Sequence, residues 1–307
     1  MKVQELIDNF LIAYITNDIS ECSRYLSDSI SIQYSNIGYR TGKQQVLEAL
    51  KWNEDFDVKH ITTTNTLSYQ TKNKTVTGLI AHHMVSYEKN NEMFPFIFGG
   101  KYVFITDTTD NLIEKINFVL EYQGENTIYM KGKWNFTESD IDYSALKPFN
   151  FSELYSHITC LITSEERIKQ LCSLFFWLLD IGDLNTISQL ISDDFTISRE
   201  PYVGHTNFSA NKDNLKSFIQ ATKNYYNLNQ YSICFNNIYT DANDTVLDAA
   251  HLTPHRLGTK KRSYLTKYHS FFDEDVVIRL NAKEKIKSVI FTKSADVHYN
   301  GFQLLKY

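Results

Sequence analysis

Apolar residues recur over the first part of the chain with a helical period. Leu6, Phe10, Leu11 and Tyr14 fall on one stripe, which predicts an amphipathic first helix. Asp18 or Ser20 offers the start of a second, short helix ending at Leu26, since a side-chain oxygen there can accept a free N–H of the first turn. Thr41-Gly42-Lys43-Gln44 has the form of a capping box ahead of Val46–Trp52, and Thr163-Ser164-Glu165-Glu166 repeats that form before a later helix. From about position 58 the period changes to two. Runs over about 58–71, 74–88, 97–107 and 112–123, parted by Asn, Asp and Lys turns, predict an antiparallel meander.

This order of helices and then strands occurs twice. Val3–Ile32 overlays Ile168–Ile197 without a gap at a constant offset of 165 positions. Leu6/Leu171, Asp18/Asp183, Ser23/Ser188, Ser27/Ser192, Asp28/Asp193 and Ile32/Ile197 are identical pairs. Later segments follow with small insertions: 45–50 over 214–219, 73–76 over 243–246 and 113–118 over 286–291. The chain therefore divides into copy one (1–130), a connector (131–162) and copy two (163–307). The connector is aromatic enough to be expected to pack across the two copies. Each copy is an α+β unit, a three-helix start followed by a long antiparallel sheet.

Composition narrows the partners. The net charge is −5 and no basic run exceeds Lys260-Lys261-Arg262, which argues against a nucleic-acid partner. The most apolar stretch, Leu171–Ile181, is shorter than the roughly 20 residues of a spanning helix. Met1–Phe10 carries Glu5 and Asp8 and no basic-then-apolar leader, so a cytoplasmic protein with no membrane partner is expected. Cys22, Cys160, Cys172 and Cys234 lie far apart and are expected as reduced thiols. No glycine-rich phosphate loop, HExxH or GxSxG is present, so no cofactor, no metal and no hydrolase nucleophile are expected. With 20 Phe and 20 Tyr, the aromatic excess suggests aromatic-lined cores or pockets.

The two helices, Leu26–Tyr34 and the turn Gly38-Tyr39-Arg40-Thr41-Gly42 resemble the SnoaL-like branch of the nuclear-transport-factor-2-like superfamily. Phe98–Phe104 through Asn111–Ile116 resembles its last two strands, with Asp110-Asn111-Leu112 in place of the usual Asp-Gly-Trp turn. The resemblance spans both copies. It implies, in each, a curved sheet wrapped round helices into a cone with an apolar pocket. It also implies a tandem pseudo-dimer, monomeric as a chain, in place of the family's usual homodimer, with further oligomerisation left open. Members include polyketide cyclases, scytalone dehydratase, ketosteroid isomerases and non-catalytic binding or assembly modules, so the fold does not give the function.

Copy one is also similar to scytalone dehydratase around the pocket. That similarity places Tyr14 and Tyr34 as two pocket tyrosines holding a water on a substrate carbonyl, and His60 near the first strand histidine. The carboxylate beside the first tyrosine is Ile15 here, and the second strand histidine falls near Ser86, with His83 the nearest candidate. Copy two has complementary gaps. Asp180 stands where Ile15 does, Leu179 replaces Tyr14, Arg199 replaces Tyr34, and His255 lies about where the second histidine belongs.

The residues add an independent signal. A proton-shuffling lyase or isomerase needs a base near neutral pKa, and histidine supplies one with least tuning. His82 and His83 are adjacent in a strand, so only one can face the interior. His251 follows Ala249-Ala250, echoing Ala81-His82 after a one-residue slip. The catalytic candidates are thus His60, Tyr14, Tyr34, His83, Asp180 and His255, and the ligand-binding candidates His82, Tyr102, His251 and Tyr268. Bland readings stand beside them. The strand histidines also fit ordinary hydrogen-bonded positions, Tyr14 a core position, and Asp180 a solvated helix end. Arg199-Glu200 and Asp273-Glu274-Asp275 read as surface charge. Two functions remain. One is binding of a small apolar, carbonyl-bearing molecule, with cofactor-independent dehydratase, cyclase or isomerase chemistry left open; the other is a non-catalytic scaffold with degenerate pockets.

Overall fold

A computed structural model describes residues 3–35, 37–52, 56–89, 92–123, 143–146, 149–161, 163–200, 208–226, 231–254 and 271–293. At 56–60, 84–89, 92–97, 122–123, 208, 222–226, 252–254, 271–273 and 293 the description covers backbone alone. The chain forms two compact units, one running to Asn150 and the other beginning at Phe151.

Unit one opens with α1 (Val3–Ile15) and α2 (Ile19–Tyr25), as the stripe and the Asp18 cap predict; Asp18 accepts the N–H of Glu21 at 2.9 Å. Next come β1 (Leu26–Tyr34), β2 (Gly38–Thr41) and α3 (Lys43–Leu50). The long strands β3 (Phe56–Gln70), β4 (Lys74–Lys89), β5 (Glu92–Asp107) and β6 (Ile113–Gln123) complete it. Unit two repeats the plan after an added helix: α4 (Phe151–Thr159), α5 (Ser164–Ile181), α6 (Leu184–Leu190), β7 (Ile191–Arg199), β8 (Phe208–Asn211) and α7 (Leu215–Tyr226). Then follow β9 (Ser232–Asp241), β10 (Asp244–Pro254), β11 (Phe271–Leu280) and β12 (Ile286–Lys293).

The two six-stranded sheets have the same order, β2-β1-β6-β5-β4-β3 and β8-β7-β12-β11-β10-β9. Both are mixed rather than wholly antiparallel, because β1 runs parallel to β6 and β7 parallel to β12. The reason lies in α2, which leads straight into β1 before the meander begins, so the last strand returns alongside it. Ile30, Ile32 and Tyr34 alternate onto the buried face of β1, a period-two signal between the second and third helices.

Two caps differ from expectation. Gly42, not Thr41, is the N-cap of α3, with φ of 83° in the region that favours glycine, and no side chain caps that helix. Thr163 is the N-cap of α5, but its hydroxyl turns to the Glu166 carboxylate at 3.4 Å instead of a backbone N–H.

In unit one the inner sheet face packs on α1–α3 through Leu79, Ala81, Phe98, Tyr102, Phe104 and Phe118. Ladder irregularities at Thr64/Leu67 and Gly99/Gly100 bend the strands. At the second of these only glycine fits, because a Cβ on Gly100 would lie 1.9 Å from the Val119 carbonyl oxygen. The outer face is buried too. There Lys101 donates to Glu121 at 2.6 Å with both side chains fully buried, and the Tyr143 hydroxyl donates to the same carboxylate at 2.8 Å. Asn117 donates to the Ala145 carbonyl, and the Asn150 N–H donates to the Tyr69 hydroxyl at 3.2 Å. The first described part of the connector is thus fixed to unit one, while α4 is fixed within unit two by packing of Phe151 against Trp177.

Candidate functional site

Matched pairing registers define equivalent positions in the two units. One inner row of unit one is Tyr34, Phe118, Tyr102 and Leu79; the same row of unit two is Arg199, Phe291, Val276 and Ala249. Two positions further along the strands, Ala81 opposite Gly100 in unit one matches His251 opposite Glu274 in unit two.

Unit one gathers phenols and one imidazole. Of the adjacent histidines it is His83 that shares the inner face with Leu79 and Ala81; His82 lies on the other face, nearly buried. His83 Nε2 is 3.1 Å from the Tyr102 hydroxyl, and its ring stacks on Phe98 at 4.4 Å. Tyr34 meets Tyr102 edge-on at 6.0 Å and Tyr14 at 6.3 Å, and Tyr14 stacks on Trp52 at 5.2 Å. The end of α1 holds this wall in place: Asn17 accepts the Trp52 N–H at 2.9 Å, and the Trp52 indole donates to the Tyr14 carbonyl at 2.9 Å.

Every titratable group on this wall is held neutral. Burial, reinforced by His82, pushes His83 down to about 3. Burial drives the Tyr14, Tyr34 and Tyr102 hydroxyls well above their ordinary value, and lifts the Cys22 thiol to about 12. Two buried polar atoms, the Tyr34 hydroxyl and His83 Nδ1, have no hydrogen-bond partner among the described residues. Both side chains border Tyr102. His60 pairs with Met84 in the β3–β4 ladder, but its side chain lies outside the description.

Unit two gathers charges. His251 Nδ1 lies 2.8 Å from Glu274 Oε2, and Arg199 donates to the same oxygen at 3.0 Å. All three side chains are almost wholly buried. The guanidinium sits 4.5 Å over the Phe291 ring and 5.6 Å from that of Tyr231, while His251 stacks on Tyr231 at 5.3 Å. Asp180 is also buried, and accepts the Tyr231 N–H at 2.8 Å.

Two expectations are corrected here. Arg199 and Glu274 are not surface charges, and Asp180 is not a solvated helix end; a backbone amide and an ionic cluster draw them inside. The period-two pattern already carried the signal. Glu274 is in phase with Val276 and Ile278, and Arg199 with Phe195 and Ile197, all buried. Of the other candidates, His255 and Tyr268 lie outside the described residues. Tyr14, Tyr34, Tyr102 and His83 come together in unit one, and Asp180 and His251 share Tyr231 in unit two. Among the described residues no cluster of His, Cys, Asp or Glu could hold a metal ion, and no helix is long and apolar enough to cross a membrane.

No protein-family model matches the chain, and no curated protein matches it in sequence. Solved structures do match. A Kribbella flavida protein is 12% identical with a TM-score of 0.35, the match covering 40% of this chain and 90% of its own. A putative scytalone dehydratase from Novosphingobium aromaticivorans is 8% identical with a TM-score of 0.34, covering 44% and 87%. A Mycobacterium tuberculosis protein in complex with estradiol-17beta-hemisuccinate is 12% identical with a TM-score of 0.29, covering 38% and 91%.

Proposed function

We propose that unit one binds a small, neutral, largely apolar molecule through a carbonyl or equivalent acceptor group. The observation that carries this reading is the pair of buried polar atoms beside Tyr102, the Tyr34 hydroxyl and His83 Nδ1, which have no partner among the described residues. A buried polar atom left unpaired costs about 1–3 kcal/mol, so a fold that keeps two on one wall gains from an occupant that satisfies them. If Tyr102 donates to His83 Nε2, the ring proton sits on Nδ1, and that N–H and the Tyr34 hydroxyl become two donors flanking one aromatic ring. A carbonyl oxygen complements two donors, and the surrounding rings complement an apolar body.

Binding is favoured over proton abstraction in this unit. A histidine held at about 3 is neutral at physiological pH but a poor base there, because its protonated form is too costly. Its role is to orient and to donate.

Tyr34→Phe separates this reading from that of a filled, ligand-free scaffold. Thermal unfolding is followed with a panel of neutral cyclic ketones and with the carboxylic acids of the same ring systems. The neutral ketones should raise the melting temperature of the native chain and the ionised acids should not. Tyr34→Phe should stabilise the unliganded protein by about 1 kcal/mol, because a lone hydroxyl is removed, while abolishing the ketone shift. If Tyr34→Phe stabilises the protein and no ketone shifts the native chain, the scaffold reading replaces this one.

A further inference from the structure

Each sheet ends in two edge strands, and an edge presents backbone N–H and C=O groups that can pair with another chain. Edges are commonly blunted by shortness, irregularity or charge. In unit one β2 is four residues long and carries Arg40, and β3 is broken twice, at Val58/His60 and Thr64/Leu67. In unit two β8 is also four residues long. β9 differs from these. Its ladder with β10 slips at Asn236, and from Asn237 to Asp241 it then runs five residues in unbroken register. That run has no lysine, arginine or proline, and Asp241 is its one charged residue. Asn237, Tyr239, Thr240 and Asp241 are exposed, Tyr239 by 46%. Among the described residues, none outside β10 makes a hydrogen bond to its backbone.

We propose that this edge pairs with the same edge of a second copy of the chain, antiparallel and centred on Tyr239. A two-fold pairing of a five-residue run sets its midpoint opposite itself. Tyr239 then faces its twin, Ile238 faces Thr240 of the second copy, and Asn237 faces Asp241 of the second copy. Each is a favourable cross-strand pair: aromatic on aromatic, β-branched on β-branched, and an amide that can donate to a carboxylate. Strand alternation puts Asn237, Tyr239 and Asp241 on one face, so their pairs adjoin. The two Asp241 carboxylates stand four residues apart along the paired strands, about 13 Å. Each keeps its Arg279 partner at 2.7 Å. An arbitrary partner strand would meet the same backbone groups without these side-chain matches, which favours a second copy.

Five paired residues from each chain bury far less than the roughly 1,200–2,000 Å² of a stable interface, so the association is weak and depends on concentration.

Sedimentation equilibrium on the full chain, from about 10 µM to about 1 mM, tests this. The native chain should shift from monomer toward dimer across that range. Tyr239→Lys sets like charges opposite each other at the centre of the pairing and should weaken association at least roughly tenfold. Asn237→Lys should strengthen it a few-fold, since the new ammonium faces Asp241 of the second copy, and Asn237→Asp should weaken it by a similar factor. Both positions are exposed, so the variants should unfold as the native chain does. Amide exchange over Asn237–Asp241 should slow with rising concentration in the native chain and not in Tyr239→Lys. A chain that stays monomeric throughout would overturn the proposal. So would a dimer indifferent to Tyr239→Lys or to the sign of charge at position 237, or one in which those amides exchange unchanged. A monomer that instead takes up a free peptide of the sequence Ser232–Asp241 would also overturn it, because the edge would then be open to foreign strands. These outcomes are independent of ketone binding in unit one.

Discussion

Where one row crosses the two sheets, unit one sets Tyr34, Phe118, Tyr102 and Leu79 side by side, and unit two sets Arg199, Phe291, Val276 and Ala249. The next inner positions reverse the sizes: Ala81 and Gly100 against His251 and Glu274. Volume lost at Tyr102 and Leu79 is thus returned at Glu274 and His251, as a close-packed interior demands. What the exchange alters is charge. On this inner face unit one keeps its buried groups neutral by desolvation, whereas unit two pairs its charges. One backbone thereby supports two electrostatic solutions.

The largest expected break in this symmetry is with acid. His83 stands at about 3 in the folded protein against an ordinary 6.5, so below pH 6.5 the unfolded chain takes up a proton that the folded chain refuses. Its contribution is fully present above pH 6.5 and is lost as the pH falls toward 3, by roughly 1.4 kcal/mol per pH unit and about 4–5 kcal/mol over the whole window. Amide exchange of β4, followed from pH 7 to pH 4, should show protection falling faster in the native chain than in His83→Gln. Parallel curves for the two would mean that the imidazole is solvated when folded.

The ionic solution of unit two is broken differently. Arg199→Ala takes the guanidinium away from the buried Glu274, and a buried pair that loses one partner costs about 3–5 kcal/mol. Replacing the whole cluster, as Arg199→Met, Glu274→Leu and His251→Phe together, should return stability to within about 2 kcal/mol of the native chain. Urea unfolding followed at unit two checks both. A triple variant as weak as the single one would show that the cluster is structural after all.

Much of this contrast was legible beforehand, and the residues show where it stopped. The constant offset put Arg199 on Tyr34 and Asp180 on Ile15, and the registers of β1 and β7 agree with the first of these pairs. Alternation alone placed Glu274 with Val276 and Ile278, yet its flanking Asp273 and Asp275 made the run look like solvated charge. For the histidine pair the pleat forbade two inward rings but did not choose between them; the choice came from packing of Leu79 and Ala81 on the helices. Other features have no local signature. The Tyr231 amide that turns Asp180 inward is 51 residues away in the chain, and the parallel pairing of β1 with β6 closes only when the meander returns. Gly42 capped α3 where a threonine stood one residue earlier, because a positive φ at that position outweighed the side-chain cap.

The smallest effect tests what the two units still share. Asp18 and Asp183 are the N-caps of α2 and α6, and each accepts the backbone N–H three residues on, at 2.9 and 3.1 Å. Alanine at either position removes one such bond, worth about 1 kcal/mol. The two should not be equal, however. Asp183 also accepts the Thr186 hydroxyl at 2.6 Å, whereas the residue three beyond Asp18 is Glu21, whose carboxylate bonds Arg24 and Tyr25 instead. Asp183→Ala should therefore cost a few tenths of a kcal/mol more than Asp18→Ala by urea unfolding. Thr186→Val in the Asp183→Ala background should add almost nothing, since the hydroxyl it removes has already lost that acceptor.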